Sequence, residues 1–320
     1  MIETRGLRRT FKSRGGPVEA VVGVDLKVAA GEVFGFLGPN GAGKTTTLRM
    51  LSTLLPPSGG QATVAGCDLL REPRNVRQRI GYVGQRNGSD PGVSARQELV
   101  FQARLYGANA TQARQRAAEL LTSLELDSAA DRPSSTYSGG QRRRLDIGLG
   151  LIHNPQLLFL DEPTTGLDPQ GRARLWGEVR RLRQTGMTVF LTTHYLEEAD
   201  ALCDRLAIID HGRIVAEGTP EQLKHEIAGD VITLGLGGDV APALLLLQAQ
   251  PFVRQAKPEG EDGLRLYVDK GDAAMPAVLR LLDSAGLQLQ TIAMSRPSLD
   301  DVFLQQTGHS LRDTAGEHAA

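Results

Sequence analysis

Residues Gly38-Pro39-Asn40-Gly41-Ala42-Gly43-Lys44-Thr45 match the pattern G-x-x-x-x-G-K-[ST] at every specified position. The apolar run Val33-Phe34-Gly35-Phe36-Leu37 precedes them, and the helix-compatible Thr45-Thr46-Thr47-Leu48-Arg49-Met50-Leu51 follows. A buried strand, a glycine loop and a helix in that order restrict the chain to an α/β core. Glycines let backbone amides converge on an anion without a Cβ in the way, and the helix N-terminus adds positive dipole character. Lys44 then reaches β- and γ-phosphates, and the Thr45 hydroxyl is placed to ligate Mg²⁺. Thr46, the next residue of the helix start, belongs to the same candidate cradle. The bland alternative, a glycine turn that happens to carry a lysine, does not account for the flanking strand and helix.

Composition narrows the class further. The 320 residues suffice for one large core plus a small second domain. With 37 acidic and 36 basic residues the charges nearly cancel, and no concentrated basic patch is visible, so no nucleic-acid partner is expected. Cys67 and Cys203 are too few and too far apart for a disulfide framework or a zinc site, which points to a reducing, cytosolic compartment. The segment Met-Ile-Glu-Thr-Arg lacks a signal-peptide core, and no stretch approaches the ~18 apolar residues of a membrane span. The chain therefore reads as soluble.

Strands are expected around Ile2–Leu7, Val18–Val28 and Glu32–Leu37, separated at Gly15-Gly16-Pro17 and Ala30-Gly31. Short strands and a helix fit residues 61–85. The pattern turns helical from Ser94 to Leu126, and again over Gly140–Ile152. Apolar strands follow at Leu157–Leu160 and Met187–Thr192, with helix-compatible segments on either side of the second. Strands alternating with helices imply a mainly parallel, covered sheet, with a β subdomain and an inserted helical subdomain at about 86–152. After residue 226 the texture changes. Strands 231–236, 252–257, 263–269 and 287–294, with helices 241–249 and 272–285, give the β-α-β-β-α-β order of a ferredoxin-like α+β domain. It holds no titratable cluster at catalytic spacing and reads as a binding or docking module. The expected division is 1–226, 227–308 and a loose tail at 309–320.

The phosphate loop alone leaves kinases, GTPases, motors and transporters open. Leu157-Leu158-Phe159-Leu160-Asp161-Glu162 puts two carboxylates at the end of a buried strand, where open parallel sheets bind ligands. Asp161 can hold Mg²⁺, directly or through water, and Glu162 is suited to act as general base on the attacking water. Ser138-Gly139-Gly140-Gln141 opens a helix with Ser138 as N-cap, a second anion-binding helix start. Taken singly, each also fits a solvated acidic turn or a capped turn.

In combination these residues resemble the ATP-binding cassette ATPases. Residues 38–45 look like the Walker A motif, Gln85 like the Q-loop glutamine and Ser138–Gln141 like the signature motif. Asp161 and Glu162 resemble Walker B with its catalytic glutamate, Gly166-Leu167-Asp168 the D-loop, and His194 the switch histidine. The resemblance spans residues 11–220 in the family's order. Tyr137 departs from it, since the family usually has leucine there. The resemblance implies ATP and Mg²⁺ as ligands, with metal contacts from Thr45, Gln85 and Asp161. It implies catalytic roles for Glu162, His194 and Gln85, and adenine stacking on Phe11. It also implies a head-to-tail dimer whose Ser138 and Gly140 contact the γ-phosphate bound by the opposite chain, and a polytopic permease as membrane partner. The C-terminal Arg296-Pro297-Ser298-Leu299-Asp300-Asp301-Val302-Phe303-Leu304, ending in Thr307-Gly308, resembles the closing segment of drug- and antibiotic-exporter ATPases of the daunorubicin-resistance type. Leu299, Val302 and Phe303 equally have the spacing of a packed amphipathic helix. The expected function is an exporter ATPase at the cytoplasmic membrane face. The alternatives are a soluble cassette acting on ribosomes or nucleic acid, and a sugar importer subunit.

Overall fold

The computed structural model describes residues 1–85, 88–226, 230–260, 262–295 and 298–307. The expected tail at 309–320, together with Arg296, Pro297 and Gly308 of the closing segment, lies outside the described residues. The chain divides into two compact units, Met1–Pro220 and Glu221–Ser310.

The first unit is organised by a six-stranded sheet. Its order across the sheet is Arg213–Gly218, Arg205–Asp210, Val33–Leu37, Thr188–Thr193, Leu157–Asp161 and Ile80–Val83. All neighbours run parallel except the first pair. Val33–Leu37, Leu157–Asp161 and Thr188–Thr193 are buried at every position, which is what a sheet covered on both faces requires. Phe34, Phe36 and Phe159 each approach Phe190, with ring centroids 5.7, 5.7 and 5.6 Å apart. Offset and tilted rings at that separation add about 0.5–1.5 kcal/mol per pair to the burial itself. The cluster fixes strand Thr188–Thr193 against both neighbours, and so fixes the strand ends that carry the polar residues.

A second, antiparallel sheet is built from Ile2–Ser13, Gly16–Val28, Gly59–Val64 and Cys67–Asp68. Both early strands run further than the sequence pattern indicates. Their polar ends pair as Phe11 with Val18 and Ser13 with Gly16, where apolar alternation has already faded. The hairpin Arg205–Asp210 and Arg213–Gly218 goes unnoticed in the sequence reading, although Asp210-His211-Gly212 marks its turn. The helical stretch comprises Ala95–Leu105, Ala110–Ser123 and Gly139–Leu151. Ser94, Asn109 and Ser138 each begin one of them with a reciprocal capping box to a glutamine three residues on.

The second unit orders its strands Val253–Glu259, Gly263–Val268, Asp230–Leu236 and Leu289–Ser295, all antiparallel. Helices Ala241–Gln248 and Gly271–Ser284 supply Leu247 and Val278 to a core with Ile232, Leu234, Leu264 and Leu266. The element order is the β-α-β-β-α-β of the sequence reading. The closing helix Leu299–Thr307 buries Leu299, Val302 and Phe303. It is pinned by Asp301, which accepts from Tyr267 Oη at 3.1 Å, Arg265 Nη1 at 2.9 Å and Ser298 Oγ at 2.7 Å. Burial and the neighbouring Asp301 push the Tyr267 phenol up to about 12.

Candidate nucleotide site

Strand Val33–Leu37 delivers the phosphate loop to the rim of the six-stranded sheet. Helix Lys44–Leu51 then begins behind Gly43, whose φ of 105° is a left-handed conformation that favours glycine. A Cβ on Gly38 would stand 2.2 Å from the Ile209 carbonyl oxygen, so the loop can lie this close to its neighbour only without a side chain. Lys44 is 4 % exposed and folds back into the loop. Its Nζ donates to the carbonyls of Gly38 at 2.7 Å and Pro39 at 3.0 Å, and lies 3.4 Å from Glu162 Oε1. The loop carbonyls and Glu162 thus hold the Lys44 ammonium inside the loop.

Parallel register brings the remaining groups to the same edge. Asp161 pairs with Thr192 across the sheet, and the Thr192 hydroxyl donates to Asp161 Oδ1 at 2.6 Å. Thr45 donates to the same oxygen at 3.0 Å. Glu162 leaves the strand with φ 45°, its amide donating to Thr192 Oγ1 at 3.0 Å. Its Oε2 accepts from Gln85 Nε2 at 3.1 Å and Thr165 Oγ1 at 3.3 Å, and His194 Nδ1 lies 3.3 Å from the same oxygen. Burial pushes the Glu162 carboxyl up, but the contacts with His194 and Lys44 outweigh it and leave the group below its ordinary value. Glu162 is therefore ionised at neutral pH. Burial lowers the Lys44 ammonium, against the raising effect of Glu162 and Asp161.

Asn40, Gly41, Gly43, Lys44, Thr45, Thr46, Gln85, Glu162 and His194 line one depression of about 510 Å³. Gly38, Pro39 and Ala42 form the loop backbone behind it, with the Ala42 carbonyl accepting from the Gly212 amide at 3.0 Å. The signature residues are elsewhere. Ser138, Gly139, Gly140 and Gln141 line a separate depression of about 550 Å³ together with Asp168, and the two depressions share no lining residue. Asp168 caps helix Pro169–Gln184, accepting from the Gly171 amide at 2.7 Å. Phe11 lies on strand Ile2–Ser13 under the Arg9 guanidinium, 4.6 Å from its ring centroid, and is not among the residues lining either depression.

Three contributors escape sequence reasoning. Thr192 and Thr165 complete the carboxylate shell, and the Thr192-Thr193 pair that follows the apolar Val189-Phe190-Leu191 is the signal that points to the first. Arg143 is buried, donating to the carbonyls of Gly84 at 2.6 Å, Pro163 at 2.9 Å and Asp161 at 3.3 Å. It ties the signature helix to the acidic strand end and to the segment that carries Gln85. Within Arg142-Arg143-Arg144 nothing in the sequence distinguishes it. Tyr137, the departure in the signature motif, is buried and donates to the Ala129 carbonyl at 2.6 Å, so it braces the turn before Ser138.

A strand, glycine loop and helix, with two adjacent carboxylates, a glutamine and a histidine gathered at one edge of a mainly parallel sheet, define an ATPase of the ATP-binding cassette class. The chain belongs to the ABC transporter ATP-binding family, and within it to the drug-resistance type. The model described as ABC transporter matches residues 21–165, and that of the ATP-binding protein DrrA1-3-like C-terminal domain matches 218–307. A daunorubicin/doxorubicin resistance ATP-binding protein of Streptomyces peucetius is 46 % identical, over 100 % of this chain and 96 % of its own length. A doxorubicin resistance ATP-binding protein of Mycobacterium tuberculosis is 44 % identical over 96 % and 93 %. A Nod factor export ATP-binding protein of Burkholderia orbicola is 40 % identical over 95 % and 97 %. Among solved structures, the dimeric post-hydrolysis state of the cassette MJ0796 bound to ADP and Pi superposes with a TM-score of 0.63 at 25 % identity, covering 68 % of this chain and 98 % of that one. These relatives favour an exporter ATPase over a ribosomal or nucleic-acid role.

Proposed function

We propose that this protein hydrolyses ATP as a homodimer on the cytoplasmic face of the membrane and drives efflux of a drug, antibiotic or lipid-like substrate through a separate polytopic permease. The observation that carries the reading is the split of the motifs into two depressions with no common residue. A γ-phosphate held by Lys44 on one chain leaves Ser138 and Gly140 unused on that chain, free to cap a nucleotide held by its partner. The relatives named for daunorubicin, linearmycin and Nod factor support the cargo class. Among the described residues no helix is long and apolar enough to cross a membrane.

The oxygen set fits magnesium. Thr45 Oγ1 and Asp161 Oδ1 are 3.0 Å apart, and hard oxygens from a hydroxyl and a carboxylate, with water and phosphate completing the shell, suit that ion. When bound, Mg²⁺ supplies charge compensation to the β- and γ-phosphates. In this reading Thr45, Asp161 and Gln85 hold it. Lys44 exchanges the loop carbonyls for phosphate oxygens and releases Glu162. The freed carboxylate accepts a proton from the attacking water as its oxygen bonds the γ-phosphorus and the bond to the β–γ bridging oxygen breaks, with ADP as the leaving group, while His194 orients that water and the γ-phosphate. Phe11 stacks on the adenine.

The test is to look in the neighbouring reading frames for a polytopic membrane protein and to co-express it with this chain. Joint purification, and ATP-driven uptake of a fluorescent anthracycline by inverted vesicles, support the reading. Stable association with ribosomes, without a membrane partner, overturns it.

A further inference from the structure

Glu198 takes no part in the proposed hydrolysis, yet it stands just beyond His194, on helix Leu196–Leu202, and is only 1 % exposed. Its Oε1 accepts from Trp176 Nε1 at 3.3 Å. Its Oε2 has no hydrogen-bond partner among the described residues. Burial pushes the Glu198 carboxyl up, against the lowering effect of the Thr193, Thr164 and Trp176 side chains and of His194.

Trp176 belongs to helix Pro169–Gln184, the helix that Asp168 caps. One turn earlier on the same face, the Arg172 guanidinium lies over the Tyr195 ring, 4.4 Å from its centroid. Tyr195 in turn packs against the His194 ring, with centroids 4.1 Å apart, and its amide donates to Thr193 Oγ1 at 2.9 Å. Helix Pro169–Gln184 therefore grips the segment that begins at His194 twice, through Arg172 on Tyr195 and through Trp176 on Glu198. A half-satisfied buried carboxyl is costly, and an apolar side chain of similar volume in such a place is often neutral or stabilising. Packing alone does not call for a glutamate here. What the carboxyl adds is direction, because Oε1 fixes how the helix after His194 meets Trp176.

We propose that Glu198 is a positioning residue for hydrolysis: through Trp176 it fixes helix Leu196–Leu202 against the helix capped by Asp168, and so holds His194 at its place beside Glu162. The proposal rests on the reading that His194 orients the attacking water. A loosened histidine leaves the Lys44 cradle intact and slows the chemical step, since a misplacement of about 1 Å can cost roughly a hundredfold in rate.

The test compares Glu198→Leu, Glu198→Gln and His194→Ala in the full chain, by steady-state ATP hydrolysis and urea unfolding. Glu198→Leu is expected to lower kcat roughly tenfold or more while KM for ATP stays within about twofold. It should unfold at the parent urea concentration or above it. Glu198→Gln keeps a carbonyl acceptor for Trp176 and should restore most of the rate. Trp176 is the sole tryptophan of the chain, so its emission reports the contact directly. The emission maximum should shift in Glu198→Leu and stay at the parent wavelength in Glu198→Gln. Parent turnover in Glu198→Leu, a loss that Glu198→Gln does not rescue, or a loss that tracks a fall in the urea midpoint overturns the proposal while His194 keeps its role. Parent turnover in His194→Ala overturns the reading of His194 itself, and the proposal with it.

Discussion

The ammonium of Lys44 lies 3.4 Å from Oε1 of Glu162 while its protons are committed to the carbonyls of Gly38 and Pro39. One side chain thus bridges the glycine loop and the Glu162 carboxylate, which in the proposed mechanism bind phosphate and take a proton. With His194 on the opposite oxygen, it holds Glu162 ionised in a site whose burial alone favours the neutral acid.

That balance has a measurable consequence. A carboxyl with a depressed value adds stability above its unfolded-state value, and the contribution is lost as pH falls through the folded one. His194→Ala removes the largest lowering contact, so the Glu162 titration, followed by carbon NMR of labelled glutamate, should move up. The acid limb of thermal stability should move up with it. An unmoved titration contradicts the assignment of His194 as its electrostatic partner.

Lys44→Ala should weaken nucleotide binding by tenfold or more, on the order of the 1.5–3 kcal/mol of a charged hydrogen bond. Equilibrium dialysis with labelled ATP measures it. Binding at the parent affinity removes Lys44 from the phosphate cradle.

Arg143→Met should cost about 3 kcal/mol or more in urea unfolding, because three buried carbonyls lose their donor at once. Arg143→Lys should recover only part of the loss, since one ammonium does not reproduce the span of a guanidinium. A midpoint within about 0.5 kcal/mol of the parent would remove Arg143 as the tie between signature helix and acidic strand.

Tyr137→Phe removes the donor to the Ala129 carbonyl inside a packed turn. It should cost about 1 kcal/mol in stability and leave ATP affinity unchanged. A change in affinity larger than the change in stability shows that the Tyr137 hydroxyl acts on the signature loop itself.

Much of this architecture is written in the chain, for identifiable reasons. Fully buried strands such as Val33–Leu37 and Leu157–Asp161 are continuous apolar runs ending in polar chemistry, a pattern that survives without tertiary context. The edge hairpin at 205–218 is half exposed on its outer strand, so its alternation is weak and goes unread. The strand ends of Ile2–Ser13 and Gly16–Val28 are polar and held by pairing rather than burial. At the site, motif residues are legible because phosphate chemistry restricts residue type. Arg143, Thr165 and Thr192 are not, because their roles depend on which backbone carbonyl or carboxylate lies within reach after folding.

The most direct test is Glu162→Gln, examined for ATP turnover and for mass by analytical ultracentrifugation with and without Mg-ATP. The amide keeps the shape of the side chain and cannot accept the proton. Turnover should fall nearly to nothing while ATP still binds, and the chain should sediment as a dimer only when ATP is present. Hydrolysis at the parent rate, or a monomer at saturating ATP, contradicts the account of a composite site with Glu162 as its base.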